Sequence, residues 1–228
     1  FTPDPPVPFS TEKTSQFYKL ANEVYTAVDS SKEEKMEIAN FWDCNPYVMH
    51  QQGHLMMATK KITPGGHWMG IVGLVTRKAG LDMVGTAEAY AMVSIGLFDG
   101  FISCWDEKFR SNVIRPETYI NRFIDPDWEP TLQTPPFPEH TSGHSVISSA
   151  SCVILTKMFG DNFAFEDSTE VPYNLPVRSF KSFKEAADEA SISRFYGGIH
   201  FMPAIEYGVT QGTKVGEHVL ARVNTRAN

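Results

Sequence analysis

Apolar residues recur along much of this chain at helical spacing. Phe17, Leu20, Ala21, Val24, Tyr25 and Val28 fall on one face, which predicts an amphipathic helix in the stretch after Ser10. Ser31 followed by Glu34 is a capping-box pattern opening a second helix through Met36, Ala39, Phe41 and Trp42. A third is predicted from about His67 to Lys78, between the turn Pro64-Gly65-Gly66 and Gly80. The stretch from Thr86 to Ile114 lacks proline and is apolar through its first half, so it reads as a buried central helix. Pro116 stops it, because proline disfavours the helical conformation in the residue before it. Six prolines from Pro116 to Pro138 then crowd one connection of about 25 residues, and a structureless link of that length is usually functional. A helix follows Ser142-Gly143-His144 and ends at Gly160, whereas residues 163–180 read as irregular or short extended structure. Ser182 with Glu185 opens a further helix to about Tyr196, and the last starts near Pro203. The expectation is an all-α helical bundle, a single domain over residues 1–228.

Composition narrows the function classes. The 228 residues are 42% hydrophobic and 12% aromatic, enough for a buried core. A formal charge of −7 provides no broad basic surface, which argues against nucleic acid as a partner and leaves a small-molecule substrate. The uncharged stretch from His140 to Thr156 falls short of the roughly 20 apolar residues of a membrane span, so no spanning segment is expected. Cys44, Cys104 and Cys152 lack metal-ligand or disulfide spacing and read as small buried groups.

Three short stretches could carry chemistry. Lys108 and Arg115 lie two helical turns apart, so while one helix lasts both would face one anion; alone, the pair reads more readily as a solvated surface pair. Ser142-Gly143-His144 has a hydroxyl, a glycine that lets backbone approach a ligand closely, and the free amides of a helix start. It also reads simply as a serine N-cap. His144 there could donate or accept a proton. Arg194 and His200 would diverge on one helix, but Gly197 and Gly198 between them can bend the chain so that both converge. Together Lys108, Arg115 and Arg194 supply three positive charges, which suit a tetrahedral or trigonal-bipyramidal oxyanion. His140 reads as an exposed loop residue, and His67-Trp68 as packing near the third helix.

KFRSNVIRP (Lys108 to Pro116), TSGH (Thr141 to His144) and SRFYGGIH (Ser193 to His200) resemble, in order, three signatures: K-x6-RP, PSGH and SR-x5-H. These belong to the vanadium-dependent haloperoxidase and type 2 phosphatidic acid phosphatase superfamily. PPFPEHTSGH looks closest to the soluble haloperoxidase branch. The resemblance implies a helical bundle in which Lys108, Arg115, Ser142, the Gly143 amide and Arg194 bind the oxygens of vanadate or phosphate. His144 would be the acid/base, and His200 the axial ligand to vanadium or, in a phosphatase, the nucleophile. In the peroxidase, hydrogen peroxide, polarised by the Lys108 charge, oxidises a halide. Phe137 occupies a position linked in that branch to halide preference. The resemblance also suggests a periplasmic or cell-envelope location and a capacity to form homo-oligomers, and it leaves open whether helices precede Phe1.

Two departures bear on mechanism. Thr141 replaces the proline of PSGH. Ala204 stands where the family commonly has an aspartate four residues after the histidine, H-x3-D, and Glu206 would turn away on a helix. His200 is therefore expected to lack an orienting carboxylate. Three functions follow from these residues: a vanadate haloperoxidase, a soluble acid phosphatase acting through phospho-His200, and a non-catalytic phosphate or vanadate binder.

Overall fold

The computed structural model describes residues 1–29, 33–45 and 47–225, and the fold is mainly helical. The helices are α1 (Gln16–Asp29), α2 (Glu33–Phe41), α3 (Pro64–Lys78), α4 (Met83–Ser111), α5 (Pro116–Phe123), α6 (Gly143–Phe159), α7 (Phe183–Tyr196) and α8 (Met202–Arg222). Two antiparallel hairpins accompany them. The first pairs β1 (Tyr47–Gln52) with β2 (Leu55–Lys60) around Gly53, whose φ of 59° a side chain rarely adopts. The second pairs β3 (Phe165–Asp167) with β4 (Arg178–Phe180). The capping-box serine expected before the second helix, Ser31, lies outside the described residues.

Helix α6 is the centre of the fold, flanked by α8, α4 and α7. Its buried face mixes Val146, Ile147, Ile154 and Leu155 with Ser145, Ser148, Ser149, Ala150 and Ser151. The small side chains let neighbours come close, and Ser148 Oγ accepts the Trp68 indole N–H at 2.9 Å. Glycines on α8 do the same from the other side. A Cβ at Gly208 would meet the Ser142 carbonyl oxygen at 2.9 Å, and one at Gly212 would meet the Val146 carbonyl oxygen at 2.0 Å. A second apolar cluster joins Phe17, Leu20 and Val24 of α1 to Tyr119 and Ile120 of α5, Trp128 and Phe201.

Two expectations are corrected here. Helix α4 starts at Met83, because Asp82 accepts the Gly85 amide as its N-cap, and ends at Asn112, which takes the left-handed cap conformation. Arg115 therefore lies beyond α4 and is the N-cap residue of α5. Lys108 and Arg115 do not share a helix face. Pro116 does not merely stop a helix; with its fixed φ it opens α5, so the long proline-rich connection is partly helical. By length and composition the helical stretch Met83–Phe123 is also long and apolar enough to cross a membrane. In this fold Met92, Val93, Leu97, Cys104 and Lys108 of α4 are buried, while Phe98, Ile102 and Phe109 are exposed.

Candidate oxyanion site

The α6 start, the α7 end and the loop before α6 meet at one cavity of about 230 Å³, whose walls include Phe101, Trp105, Phe137, His144, Arg194 and His200. The route from α7 to His200 depends on two glycines. Gly197 caps α7, Gly198 has φ 76°, and the Ile199 amide returns to the Arg194 carbonyl at 3.2 Å. The chain thus doubles back, and Arg194 and His200 converge on the cavity as their flanking of Gly197-Gly198 predicted.

Ser142 is the N-cap of α6: its Oγ accepts from the Ser145 amide at 3.3 Å and the Ser145 hydroxyl at 2.9 Å. The cap reading of this serine is correct, and its own hydroxyl hydrogen stays available to donate. Gly143 and His144 are the first helical residues, whose amides the helix cannot satisfy. Gly143 lines the cavity, and a Cβ there would stand 3.3 Å from the Trp105 ring. His144 is half-buried, hydrogen-bonds the Trp42 backbone, and leaves a buried Nε2 without a partner. Burial holds its pKa well below the usual histidine value, and the positive charges of Arg194 and His67 push the same way.

The three cations are buried, and each is tied to backbone. Lys108 Nζ donates to the carbonyls of Pro138, Glu139 and Thr141 at 3.0, 3.0 and 2.6 Å, and lies over the rings of Trp105 and Phe137. All three ammonium hydrogens are engaged, so contact with an anion must displace one carbonyl. Burial lowers its pKa to about 8. Arg115 donates Nε to the Phe137 carbonyl and Nη1 to the Ile199 carbonyl, both at 2.8 Å; its Nη2 is buried without a partner. Arg194 Nη2 donates to the carbonyls of Trp42 at 2.7 Å and Ala39 at 3.3 Å.

His200 lies between a carboxylate and a cation. Its Nδ1 is 2.7 Å from Glu139 Oε1, and its Nε2 is 3.1 Å from Arg115 Nη1. Burial depresses the His200 pKa well below the ordinary value, reinforced by Arg115, Lys108 and Arg194. Burial raises Glu139 to about 7, against the pull of Arg115 and Lys108. The expectation that His200 has no orienting carboxylate is therefore wrong. Sequence reasoning passed over Glu139 because it is separated from His200 by 61 positions, and its one lead was its place inside PPFPEHTSGH.

His140 is also corrected: it is buried, with Nε2 3.3 Å from the Asp4 carbonyl oxygen and its ring edge-on to Tyr207. It does not line the cavity. The packing expectation for His67 stands: it stacks on Trp42 with ring centroids 4.5 Å apart. Its Nε2 meets Asp167 at 2.7 Å, and its Nδ1 faces Glu170 at 3.2 Å and Cys44 Sγ at 3.4 Å. The three cysteines are free, and Cys44 differs from a plain apolar filler in contacting this imidazole.

Residues 88–228 match the family described as the VCPO second helical-bundle domain. The chain belongs to the vanadium-dependent haloperoxidase superfamily. Among solved structures of that superfamily, one described as the first bacterial vanadium-dependent iodoperoxidase is 56% identical, with a TM-score of 0.91, over 97% of this chain and 53% of that one. The holo and apo forms of a bacterial vanadium-dependent chloroperoxidase share the fold at 15% and 16% identity, with TM-scores of 0.66 and 0.68 over 89% of this chain. They are covered over 46% and 47% of their own length, so this chain spans about half of each haloperoxidase. No curated protein matches it.

Proposed function

We propose that the chain is the vanadate-binding part of a haloperoxidase that uses hydrogen peroxide to oxidise a halide. One observation carries the reading: His144 presents a buried, unpartnered Nε2 in the wall of a cavity shared with Arg194 and His200. A buried polar atom without a partner costs about 1–3 kcal/mol, which a hydroxyl of a protonated bound oxyanion would remove by donating to Nε2. Arg115, which does not line the cavity but meets His200 Nε2, has an orphaned Nη2 that could donate to the same anion. Arg115, Arg194, Ser142 and the Gly143 amide would hold the oxygens of vanadate, with Lys108 adding charge, and His200 Nε2 would ligate the vanadium.

Vanadate, when bound, supplies a Lewis acid that activates peroxide. The chain's residues do the rest. Arg115 and Arg194 neutralise the anion, a role worth most in a buried site. His144, kept neutral by burial and by neighbouring positive charge, can take a proton at Nε2 and return it. Trp105, Phe101 and Phe137 limit water at the cavity. Iodide is the first halide to test, because the relative sharing 56% of the sequence is described as an iodoperoxidase.

A second reading, phosphomonoester hydrolysis through His200, gains support from the Glu139 contact, which gives that histidine the carboxylate a nucleophile needs. Adding orthovanadate to vanadium-free protein and following peroxide-dependent iodide oxidation separates the two. A haloperoxidase gains activity with vanadate. A phosphatase instead hydrolyses a generic phosphomonoester without vanadate and is inhibited by it.

A further inference from the structure

We infer that Glu139 is the positioning residue of His200, delivered from the loop before α6, while the first turn of α8 carries Ala204 and no carboxylate that faces the ring. Five contacts make the case. Glu139 Oε1 accepts both from His200 Nδ1 at 2.7 Å and from the Phe201 amide at 2.9 Å, so one oxygen fixes the imidazole and the backbone that carries it. Glu139 is itself held at both ends of its peptide unit: its amide donates to the Val113 carbonyl at 3.0 Å, and its carbonyl accepts from Lys108 Nζ at 3.0 Å. On the far side of the ring, Arg115 Nη1 can only donate, so Nε2 must carry the lone pair and Nδ1 the hydrogen. That tautomer aims the Nε2 lone pair away from Glu139.

Helix α8 offers no substitute. Ala204 is buried, its carbonyl accepts the Ser142 amide at 2.9 Å, and it begins the small-residue row continued by Gly208 and Gly212. Glu206 is exposed. A ligating histidine ordinarily donates its second N–H to a carboxylate or carbonyl, and losing that partner costs about 10–100-fold in affinity.

The inference rests on the oxyanion-site reading for its binding arm but not for its tautomer arm. Nitrogen-15 NMR of histidine-labelled, vanadium-free protein, with His200 assigned by its loss in His200→Gln, should show the Nδ1–H tautomer. Glu139→Ala should shift His200 toward Nε2–H and weaken orthovanadate binding, measured by calorimetry, by about 10–100-fold. Glu139→Gln keeps an acceptor oxygen, so it should retain the Nδ1–H form and lose less than about tenfold. An Nε2–H tautomer in the parent protein overturns the inference. So does a Glu139→Ala protein with unchanged tautomer, or a Glu139→Gln protein as impaired as Glu139→Ala. Should Glu139→Ala fail to fold, the parent tautomer and the Gln variant still decide. If the parent shows the Nδ1–H tautomer but binds no orthovanadate, the functional reading fails, and the tautomers of the variants settle the positioning role.

Discussion

The Ser142 amide donates to the Ala204 carbonyl at 2.9 Å, so the turn that opens α6 rests directly on the first turn of α8. Gly208 and Gly212 extend that contact along the two helices. Gly212→Ala should lower stability by about 3 kcal/mol or more, at the upper end of overpacking costs, since the added carbon would meet backbone oxygen and no flexible side chain can yield. Gly208→Ala should cost less and should also weaken anion binding, because its neighbours are Ser142 and Ser145. Urea unfolding of both variants checks the order; equal stability with the parent would refute the close approach.

The site's histidines respond to acid. Burial lowers the His140 pKa to about 4, and Lys108 adds to the effect against the hydrogen bond that Nε2 donates to the Asp4 carbonyl. The folded value lies below the unfolded one, so this contribution is full above pH 6.5 and lost as pH falls from 6.5 to 4. It amounts to on the order of 3 kcal/mol over that window. His144 and His200, both depressed, add to the loss in the same direction. Thermal melts across this range should show Tm falling with acidification, and His140→Gln should flatten the slope. A slope that the substitution leaves unchanged removes His140 from the account.

His67 behaves oppositely. Burial, the largest influence, favours its neutral form, but Cys44, Asp167 and Glu170 together outweigh it and raise the pKa well above the usual value. Its contribution is full below pH 6.5 and is lost as pH rises through the folded value. Removing one partner of a buried charge pair costs about 3–5 kcal/mol, so His67→Ala should destabilise by that amount near neutral pH. It should also abolish the alkaline loss. Stability equal to the parent at pH 7 would show that the imidazole is not holding Asp167 and Glu170.

Much of the helical scaffold was legible because burial imposes a period. The faces of α1, α6 and α7 appear directly as recurring apolar or small residues, and Ser182 caps α7 where its pattern predicts. What escaped depends on tertiary context. Pro116 reads as a stop, but the same fixed φ begins α5, and only the packing of Tyr119 and Ile120 against α1 shows which role it plays. The β1–β2 hairpin has a glycine turn but no clean alternation of apolar and polar residues. The motif residues stood out because their spacing is itself a signal. Glu139 has no such spacing: its meeting with His200 is produced by the loop's anchors at Val113 and Lys108, which no local pattern encodes.

Lys108 offers a test of that anchoring. Its ammonium ties three carbonyls of the loop between Pro138 and Thr141. Lys108→Met keeps the volume but leaves those carbonyls short of a donor, at about 1–3 kcal/mol for each one left unsatisfied. It should lower Tm, and hydrogen exchange at the Glu139 amide should accelerate. Unchanged protection there would show that the loop holds without the lysine.

The central claim is that Arg115, His144, Arg194 and His200 surround one oxyanion. Anomalous scattering from a crystal grown with orthovanadate tests it most directly. One vanadium peak is expected in the cavity, at bonding distance from His200 Nε2, with its oxygens meeting Arg115, Arg194 and the start of α6. A cavity without vanadium, or a peak out of reach of His200, would contradict it.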